Sequence, residues 1–315
     1  MVKSASQPGI FLGRITRQDI PCRAHFHLSV AVDGFPAAEP GQFVHVRCAR
    51  PIAPQRTASP QPHESAPSAA WIRPFSNSPL LRRPFSIAGL RRQGDVCEID
   101  LLGRAVGPGT TWLAALQPGD LLDVLGPLGN AFTPPQPGQH ALLVAGGVGL
   151  PPIRWLGERL RHAGISCDAL YGALTRTLLP VTLLHEPSAS GALTSCAEEF
   201  ARDGIAAAIT TDDGSCGLRG RVTDVLARYL NDRQDAASLA VYACGPHAML
   251  REVAALCLAR SLDCELALER RMGCGMGTCQ SCVVKVVDAA GSQGWRYALS
   301  CTEGPVFKAS SLVWN

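Results

Sequence analysis

The pattern of apolar residues changes near Pro137, and this change limits the folds that the chain can adopt. From Gly9 to Arg50 apolar and polar residues alternate, and the strand-like pieces "FSIAGL", "VCEIDLL" and "LLDVLGPLG" follow between Gly/Pro turns. After Pro137, strand-like segments such as "HALLVAGG" alternate with helix-like segments such as "PPIRWLGERLRHAG". The first half therefore predicts an antiparallel barrel or sandwich. The second half predicts a Rossmann-like parallel sheet with helices on both faces.

These patterns predict three domains. An antiparallel β domain spans 1–136, an α/β domain spans 137–262, and a small Gly- and Cys-rich domain spans 263–315. The first is interrupted at about 51–79 by a stretch with seven Pro and many Ser and Ala, in which no period is visible. Such a composition predicts an extended or disordered loop insertion.

Charge and hydropathy argue against two broad classes of function. The 315 residues carry 29 basic and 26 acidic side chains, and aromatic residues make up 6%. A nucleic-acid-binding domain normally shows a basic stripe, so a dedicated nucleic-acid binder is not expected. No apolar run is long enough to span a bilayer, and the N terminus has no apolar core of signal-peptide length. We therefore expect a soluble cytoplasmic protein.

Four of the 13 cysteines have a spacing that is typical of a metal centre. Cys274, Cys279, Cys282 and Cys301 form the pattern C-x4-C-x2-C…C, and four thiolates complete a two-iron, two-sulfur (2Fe-2S) cluster. The two glycines in the x4 gap allow the loop to wrap tightly and its N–H groups to point at the sulfurs. Structural zinc, which usually has paired C-x2-C units, and redox-inert cysteines are the alternatives.

A glycine-rich turn opens the α/β half. The segment "AGGVGLPP" contains Gly146, Gly147 and Gly149 between a strand and a helix, where backbone N–H groups can bind a pyrophosphate. An ordinary tight strand–helix turn explains the same residues. Cys244, in "ACGPHAM" at the end of another strand, is a candidate neighbour of a nicotinamide ring, with a core cysteine as the alternative.

The tetrapeptide "RPFS" occurs at residues 73–76 and again ten residues later. The first copy lies in the Pro-rich insertion, while the second follows "LLR" and continues into a strand. In the second copy Arg83 can hold a phosphate and Ser86 can hydrogen-bond a flavin ring. In the following "GRAVGPGTTWL", Gly107, Gly109 and Thr110 would let a backbone approach a diphosphate.

These motifs together resemble the electron-transfer subunits of dihydroorotate dehydrogenase B, within the ferredoxin-reductase-like flavoproteins. The resemblance covers nearly the whole chain except the insertion and the first few residues. Its most specific parts are "ERRMGCGMGTCQSCVVKV" and "CTEGPVF". It implies an FAD-binding β-barrel, a nucleotide-binding α/β domain and a small C-terminal 2Fe-2S domain with the four cysteines as ligands. The second "RPFS" is then the working copy, and the implied FAD contacts are Arg83, Pro84, Phe85, Ser86, Leu102, Gly103, Arg104, Gly109 and Thr110.

The resemblance also implies an oxidoreductase subunit that works with a partner. An FMN-containing partner subunit would oxidise dihydroorotate in pyrimidine biosynthesis. Electrons would pass singly through the 2Fe-2S cluster to FAD and leave as hydride to NAD. We expect a heterotetramer with two copies of each subunit. NADP stays open, because Arg176 follows the second strand of the α/β half and an Arg there suits a 2′-phosphate.

Two other functions are compatible with the same motifs. One is a related NAD(P)H–ferredoxin or sulfide-type reductase subunit, which reduction of an added ferredoxin would identify. The other is a non-enzymatic iron–sulfur redox sensor or assembly subunit, which would show no NADH-dependent dye reduction. Arg270 and Arg271 precede the cysteine loop, where they contribute to partner docking or form an ordinary solvated pair.

Overall fold

The computed structural model of the chain describes residues 7–51, 79–233 and 238–314. Most of the predicted insertion, including the first "RPFS" copy at 73–76, lies outside the described residues. The first half contains the strands β1 (Gly9–Asp19), β2 (His25–Asp33), β3 (Phe43–Val46), β4 (Arg83–Gln93), β5 (Val96–Arg104) and β6 (Leu121–Leu128), and a short helix α1 (Pro108–Ala114). The six strands close into an antiparallel barrel in the order β1-β2-β5-β4-β3-β6. The predicted β domain is therefore a barrel rather than a sandwich.

Strand β3 connects the barrel to the rest of the molecule, because all of its side chains are buried. Val44 and Val46 belong to the core inside the barrel. Phe43 and His45 alternate with them and so point to the outer face. There Phe43 packs with apolar residues of β6 and with two cysteines of the C-terminal segment. A barrel strand usually has one wet face, and here the cysteine segment covers it.

The second half forms the α/β unit. Its elements are β7 (His140–Gly146), α2 (Leu150–His162), β8 (Cys167–Ala173), α3 (Glu198–Ala201), β9 (Ala206–Thr211), β10 (Leu218–Arg219), α4 (Val222–Asn231), β11 (Leu239–Cys244), α5 (His247–Leu258), β12 (Asp263–Ala267), β13 (Val283–Val287), β14 (Trp295–Leu299) and β15 (Val306–Lys308). The main sheet has the order β10-β9-β8-β7-β11-β12-β15. All neighbouring pairs are parallel except β12 with β15.

Helices cover both faces of this sheet, as the alternating pattern predicts. The apolar sides of α2 and α3 pack on one face, and those of α4 and α5 pack on the other. Each helix buries one stripe because its apolar residues recur at helical spacing. The predicted fold class is confirmed. None of the helices in the described part of the chain combines the length and hydropathy of a membrane-spanning segment.

The cysteine segment is an excursion from the main sheet. The chain leaves the sheet after β12, forms the cysteine loop and the β13–β14 hairpin, and returns as β15. The third predicted domain, 263–315, therefore shares two strands with the sheet of the second. Two ends of the excursion are tied into one sheet, which fixes the cysteine loop relative to the α/β unit.

Asn130 ties the same segment to the barrel. Its side-chain amide donates to the carbonyls of Glu303 (3.1 Å) and Val306 (2.9 Å). Its side-chain oxygen accepts from the Val306 N–H at 2.9 Å. Its own N–H donates to the Gly304 carbonyl at 2.7 Å. Asn130, which follows β6, therefore forms hydrogen bonds with backbone groups on both sides of the point where the cysteine segment re-enters the sheet.

We expect Asn130→Ala to lower the free energy of unfolding by about 1–3 kcal/mol, because backbone groups of the β15 region lose their partners. Urea unfolding followed by circular dichroism measures this change. Gln139→Ala is the matched control, since that exposed amide donates to the Asp263 carboxylate at 3.2 Å without joining two units. Equal effects of the two substitutions would contradict the connecting role of Asn130.

Candidate functional site

A cavity of about 510 Å³ lies where the barrel, the α/β unit and the cysteine segment meet. Its size and its largely apolar wall with a few charged groups are typical of a small-molecule site. The lining includes every residue that the resemblance assigns to FAD: Arg83, Pro84, Phe85, Ser86, Leu102, Gly103, Arg104, Gly109 and Thr110. It also includes residues that the sequence did not single out, among them Phe43, Val148, Glu269, Met272 and Pro305.

Gly103 makes room for the aromatic rings behind this wall. The rings of Phe26 and Phe85 lie with their centres 6.0 Å apart, and a Cβ at position 103 would come within 2.6 Å of both. A larger residue at this position does not fit here unless these rings move. At Gly103 only the backbone can contact a ligand.

Two neighbouring arginines at the start of β4 have different environments. Arg82 forms an ion pair with Asp123 at 2.8 Å and donates to the carbonyls of His45 and Asp123. Arg83 lines the cavity and donates only to the carbonyls of Leu81 and Arg82 in the described part of the chain. Arg82 is therefore a structural residue, while the charge of Arg83 remains available for an anion.

Arg104 is a second cation of the cavity wall. Its buried Nε has no hydrogen-bond partner among the described residues. An unpaired buried donor of this kind is costly unless a ligand pairs with it. The fit to a phosphate-bearing flavin therefore rests on two arginines that lack carboxylate partners in the described structure.

Thr110 shapes the turn that leads into α1. Its hydroxyl accepts from the N–H groups of Val106 (2.9 Å) and Gly107 (3.1 Å). It also lies 3.1 Å from the carbonyl of Gly107. The hydroxyl is thus bound by the backbone of this turn. Thr110 therefore shapes the cavity wall and does not contact a ligand through its hydroxyl.

The glycine-rich turn divides into two parts. Gly149 lines the cavity, whereas Gly146 and Gly147 are outside its lining. A Cβ at position 149 would lie 2.1 Å from the carbonyl oxygen of Cys244. Glycine is therefore required for the close approach of this turn to the end of β11.

Cys244 also lines the cavity, beside Gly149. Burial raises the pKa of its thiol to about 12. The thiol is therefore neutral at physiological pH and is not prepared to act as a thiolate nucleophile. Its position suits a steric or packing contact with a ring that enters the cavity from the α/β side.

The four predicted metal ligands lie in one segment and form two pairs. The Cys279 N–H donates to the Cys274 sulfur at 3.4 Å, and the thiols of Cys282 and Cys301 are close enough to interact with each other. Nowhere among the described residues do three or more His, Cys, Asp or Glu side chains converge as ligands of a single ion. Together the two pairs supply the four sulfur ligands that a two-iron cluster requires.

The two pairs differ in exposure. Cys279 is exposed, and hydrogen bonding by Ser281 lowers the pKa of its thiol to about 6. Cys301 is buried, and burial raises the pKa of its thiol to about 11. One end of the site thus faces solvent, while the other packs against the barrel through Phe43.

The two arginines before the cysteine loop also have different positions. Arg270 lines the cavity, and its Nε is buried without a partner among the described residues. Arg271 is exposed. The prediction of an ordinary solvated pair is therefore wrong for Arg270. Sequence alone gave no signal for this, because both residues lie in an irregular segment.

The chain is a ferredoxin-reductase-like flavin and iron–sulfur oxidoreductase subunit. It combines a closed barrel and a parallel α/β sheet with a cavity between them and a four-cysteine loop beside the cavity. Over 88% of its length the chain is 34% identical to the dihydroorotate dehydrogenase B (NAD(+)) electron transfer subunit of Desulforamulus reducens, and it covers 88% of that protein. It is 38% identical to the subunit of the same name from Bacillus caldolyticus, with 87% of each chain covered. The chain belongs to the family of dihydroorotate dehydrogenase B electron transfer subunits.

One family model agrees with this family, and two solved structures share the fold. Residues 269–313 match the family model of the iron-sulfur cluster binding domain of dihydroorotate dehydrogenase B. The fold is similar to that of the NADH-dependent reduced ferredoxin-NADP oxidoreductase, with a TM-score of 0.69 at 23% identity over 100% of this chain and 92% of that one. It is also similar to the ferredoxin reductase in carbazole 1,9a-dioxygenase, with a TM-score of 0.61 at 15% identity over 82% and 68% of the two chains.

We expect Gly149→Ala to lower the free energy of unfolding by about 1–3 kcal/mol, because the new methyl group meets backbone atoms that have to shift. Thermal and urea unfolding measure the loss. Gly107→Ala is the control, since a Cβ at that extended position meets nothing within 4 Å. A Gly149→Ala protein as stable as the control would show that the turn and β11 separate without cost.

Proposed function

We propose that this chain is the electron-transfer subunit of an NAD-dependent dihydroorotate dehydrogenase, with FAD in the 510 Å³ cavity and a 2Fe-2S cluster on Cys274, Cys279, Cys282 and Cys301. The observation that carries the proposal is that one cavity is lined by all three parts of the molecule. When bound, the cluster carries single electrons and FAD exchanges one or two. The polypeptide then binds, orients and shields these groups.

Each wall of the cavity has a role in this proposal. Arg83 and Arg104 hold the phosphates of the flavin, because their charges are unpaired within the described chain. Ser86 hydrogen-bonds the flavin ring, and the backbone at Gly109 contacts the diphosphate. Gly149 and Cys244 border the side where a nicotinamide ring enters. Gly146 and Gly147 shape the turn behind this border.

NAD is the nucleotide that the charges favour. Arg176 follows β8, where a nucleotide ribose lies in this class of fold. Its guanidinium is bound to Glu186 at 2.6 Å, and its backbone N–H donates to Ser215 at 2.8 Å. Asp213 accepts from the same serine at 2.6 Å. A 2′-phosphate entering here would meet an arginine that is already neutralised and two carboxylates that repel it.

The exposed end of the cysteine loop is the proposed point of electron entry. Met276 in this loop is 57% exposed, next to the exposed Cys279. The curated relatives are named as electron transfer subunits, so a catalytic partner belongs to the assembly. We propose that an FMN-containing partner docks here, that two copies of each subunit associate, and that Arg271 contributes a charge to the contact.

A second candidate, an NAD(P)H–ferredoxin reductase subunit, is favoured by the fold shared over the whole chain with the NADH-dependent reduced ferredoxin-NADP oxidoreductase. The cavity and the cysteine loop would serve either function equally. The two candidates differ in the electron donor or acceptor that meets Cys279. Reduction of added ferredoxin by NADH, faster than electron exchange with an FMN-containing partner, would favour this second candidate.

We expect Cys279→Ser to lose most of its iron, from about two atoms per chain, and to keep its FAD. The cysteine loop and the barrel wall are separate parts of the site, so loss of one ligand need not empty the flavin cavity. Iron and flavin contents of the purified proteins measure both effects. Cys22→Ser is the control, because Cys22 is half-buried near the barrel and outside the cysteine segment. Equal iron in mutant and wild type would overturn the ligand assignment.

We expect the isolated chain to pass electrons from NADH to a dye, more slowly from NADPH, and not to oxidise dihydroorotate. Dihydroorotate oxidation requires a base and a flavin stacked on the substrate ring, and the proposal assigns both to the partner. Dye reduction with each of the three donors, before and after addition of the catalytic subunit, measures this. Dihydroorotate turnover by the chain alone would contradict the proposed division of labour. Absence of NADH turnover in FAD-replete protein would contradict the proposed oxidation of NADH and favour a redox sensor or assembly subunit.

A further inference from the structure

Arg270 is a cation of the flavin cavity to which the proposed function assigns no role. It lines the 510 Å³ cavity, and its Nε is buried. Its guanidinium has neither a hydrogen-bond partner nor an ion-pair partner among the described residues. Removing a charged group from water without giving it a partner costs free energy. A ligand that brings negative charge into this cavity would therefore be stabilised by Arg270.

The groups around Arg270 leave its charge largely uncompensated. Within the described chain Glu269 is the one carboxylate of this cavity wall, and it is exposed and forms no ion pair with Arg270. Leu268 and Arg270 also line a second cavity of about 280 Å³, and neither Asp nor Glu occurs among the described residues of its lining. Water screens the charge of an exposed carboxylate, so the positive charge of Arg270 dominates this part of the wall.

The register of the main sheet places Arg270 near the end of the cavity where the nicotinamide ring is proposed to enter. Cys244 at the end of β11 pairs with Ala267 at the end of β12, and both residues line the cavity. Arg270 follows Ala267 by three residues, and Met272 continues the same wall toward the cysteine loop. The flavin ring has to lie here in the proposed function, because it exchanges electrons with both the nicotinamide and the cluster.

We propose that the charge of Arg270 stabilises the reduced form of the FAD ring and thereby raises the reduction potential of the bound flavin. The inference rests on the proposed function, because it requires FAD in the cavity. The oxidised ring is neutral. Addition of two electrons and one proton leaves the ring with one negative charge, which is lost again when hydride leaves to NAD. A nearby cation favours the charged, reduced ring.

This role differs from that of the two arginines assigned to the phosphates. Arg83 and Arg104 belong to the barrel strands β4 and β5, whereas Arg270 follows β12. The charge of the phosphates is the same in oxidised and reduced FAD, so a residue that binds only the phosphates holds both forms equally. Arg270 is a tuning residue in this scheme, and FAD binding does not require it.

Substitutions that remove or keep the charge test the proposal. We expect Arg270→Gln to lower the ratio of reduced to oxidised FAD at a fixed potential about tenfold, which corresponds to about 30 mV for two electrons. Arg270→Lys keeps the charge and is expected to stay close to wild type. The measurement is a spectroelectrochemical titration of the purified holoprotein. EPR follows the cluster in the same samples, so that its absorbance can be subtracted.

Two other arginines provide controls. Arg271→Gln removes the same charge at the next residue, which is exposed, and its flavin potential is expected to match wild type because water screens that charge. Arg83→Gln is expected to weaken FAD binding about tenfold, since a charge-assisted contact to phosphate is lost, while the FAD that remains bound keeps a potential close to wild type. Flavin content and potential thus separate a binding residue from a tuning residue.

The outcomes separate this inference from the function on which it rests. Wild-type protein that binds no FAD would overturn the proposed function. FAD-bearing wild type and Arg270→Gln with equal flavin potentials would overturn only the role of Arg270. An equal loss of potential in Arg270→Lys and Arg270→Gln would also overturn it, because charge would not be the cause. Complete loss of FAD from Arg270→Gln would contradict the proposal as well, since Arg270 would then be a binding residue.

Discussion

The packing of the outer face of β3 against the cysteine segment is the contact on which the rest of the structure depends. Phe43 meets Cys282 and Cys301 there, together with apolar residues of β6, and Phe43 also lines the cavity on its other side. Phe43 thus lies between the proposed flavin cavity and the buried cysteines. All four residues of β3 are buried, so this strand is shielded from solvent on both faces.

The connectivity of the chain holds this contact in place. The cysteine segment begins and ends in the main sheet, through β12 and β15, and Asn130 binds its return point from the barrel side. A segment that is attached at both ends, with one end also bound to the barrel, has little freedom to swing. These connections thus set the separation between the two candidate sites.

The arrangement of charge decides which arginines are available to ligands. Arg82 is neutralised by Asp123 and Arg176 by Glu186, whereas Arg83 and Arg104 reach the cavity without a carboxylate within the described residues. Arg82 and Arg83 differ because successive side chains of an extended chain point in opposite directions. The same residue type thus serves the structure at one position and the ligand at the next.

Sequence by itself determined the features that are local along the chain. The alternation of strands and helices follows from apolar periodicity, and the cysteine spacing and the second "RPFS" carry ligand chemistry within a few residues. Only the tertiary structure decided that β12 and β15 share one sheet, that Gly149 rather than Gly146 borders the cavity, and that Arg270 turns inward. The complete burial of His45 could not be predicted from "FVHV", because a loop 230 residues away in sequence, at Gly275, covers its ring. Contacts of that range depend on the packing of complete elements, which a local pattern does not encode.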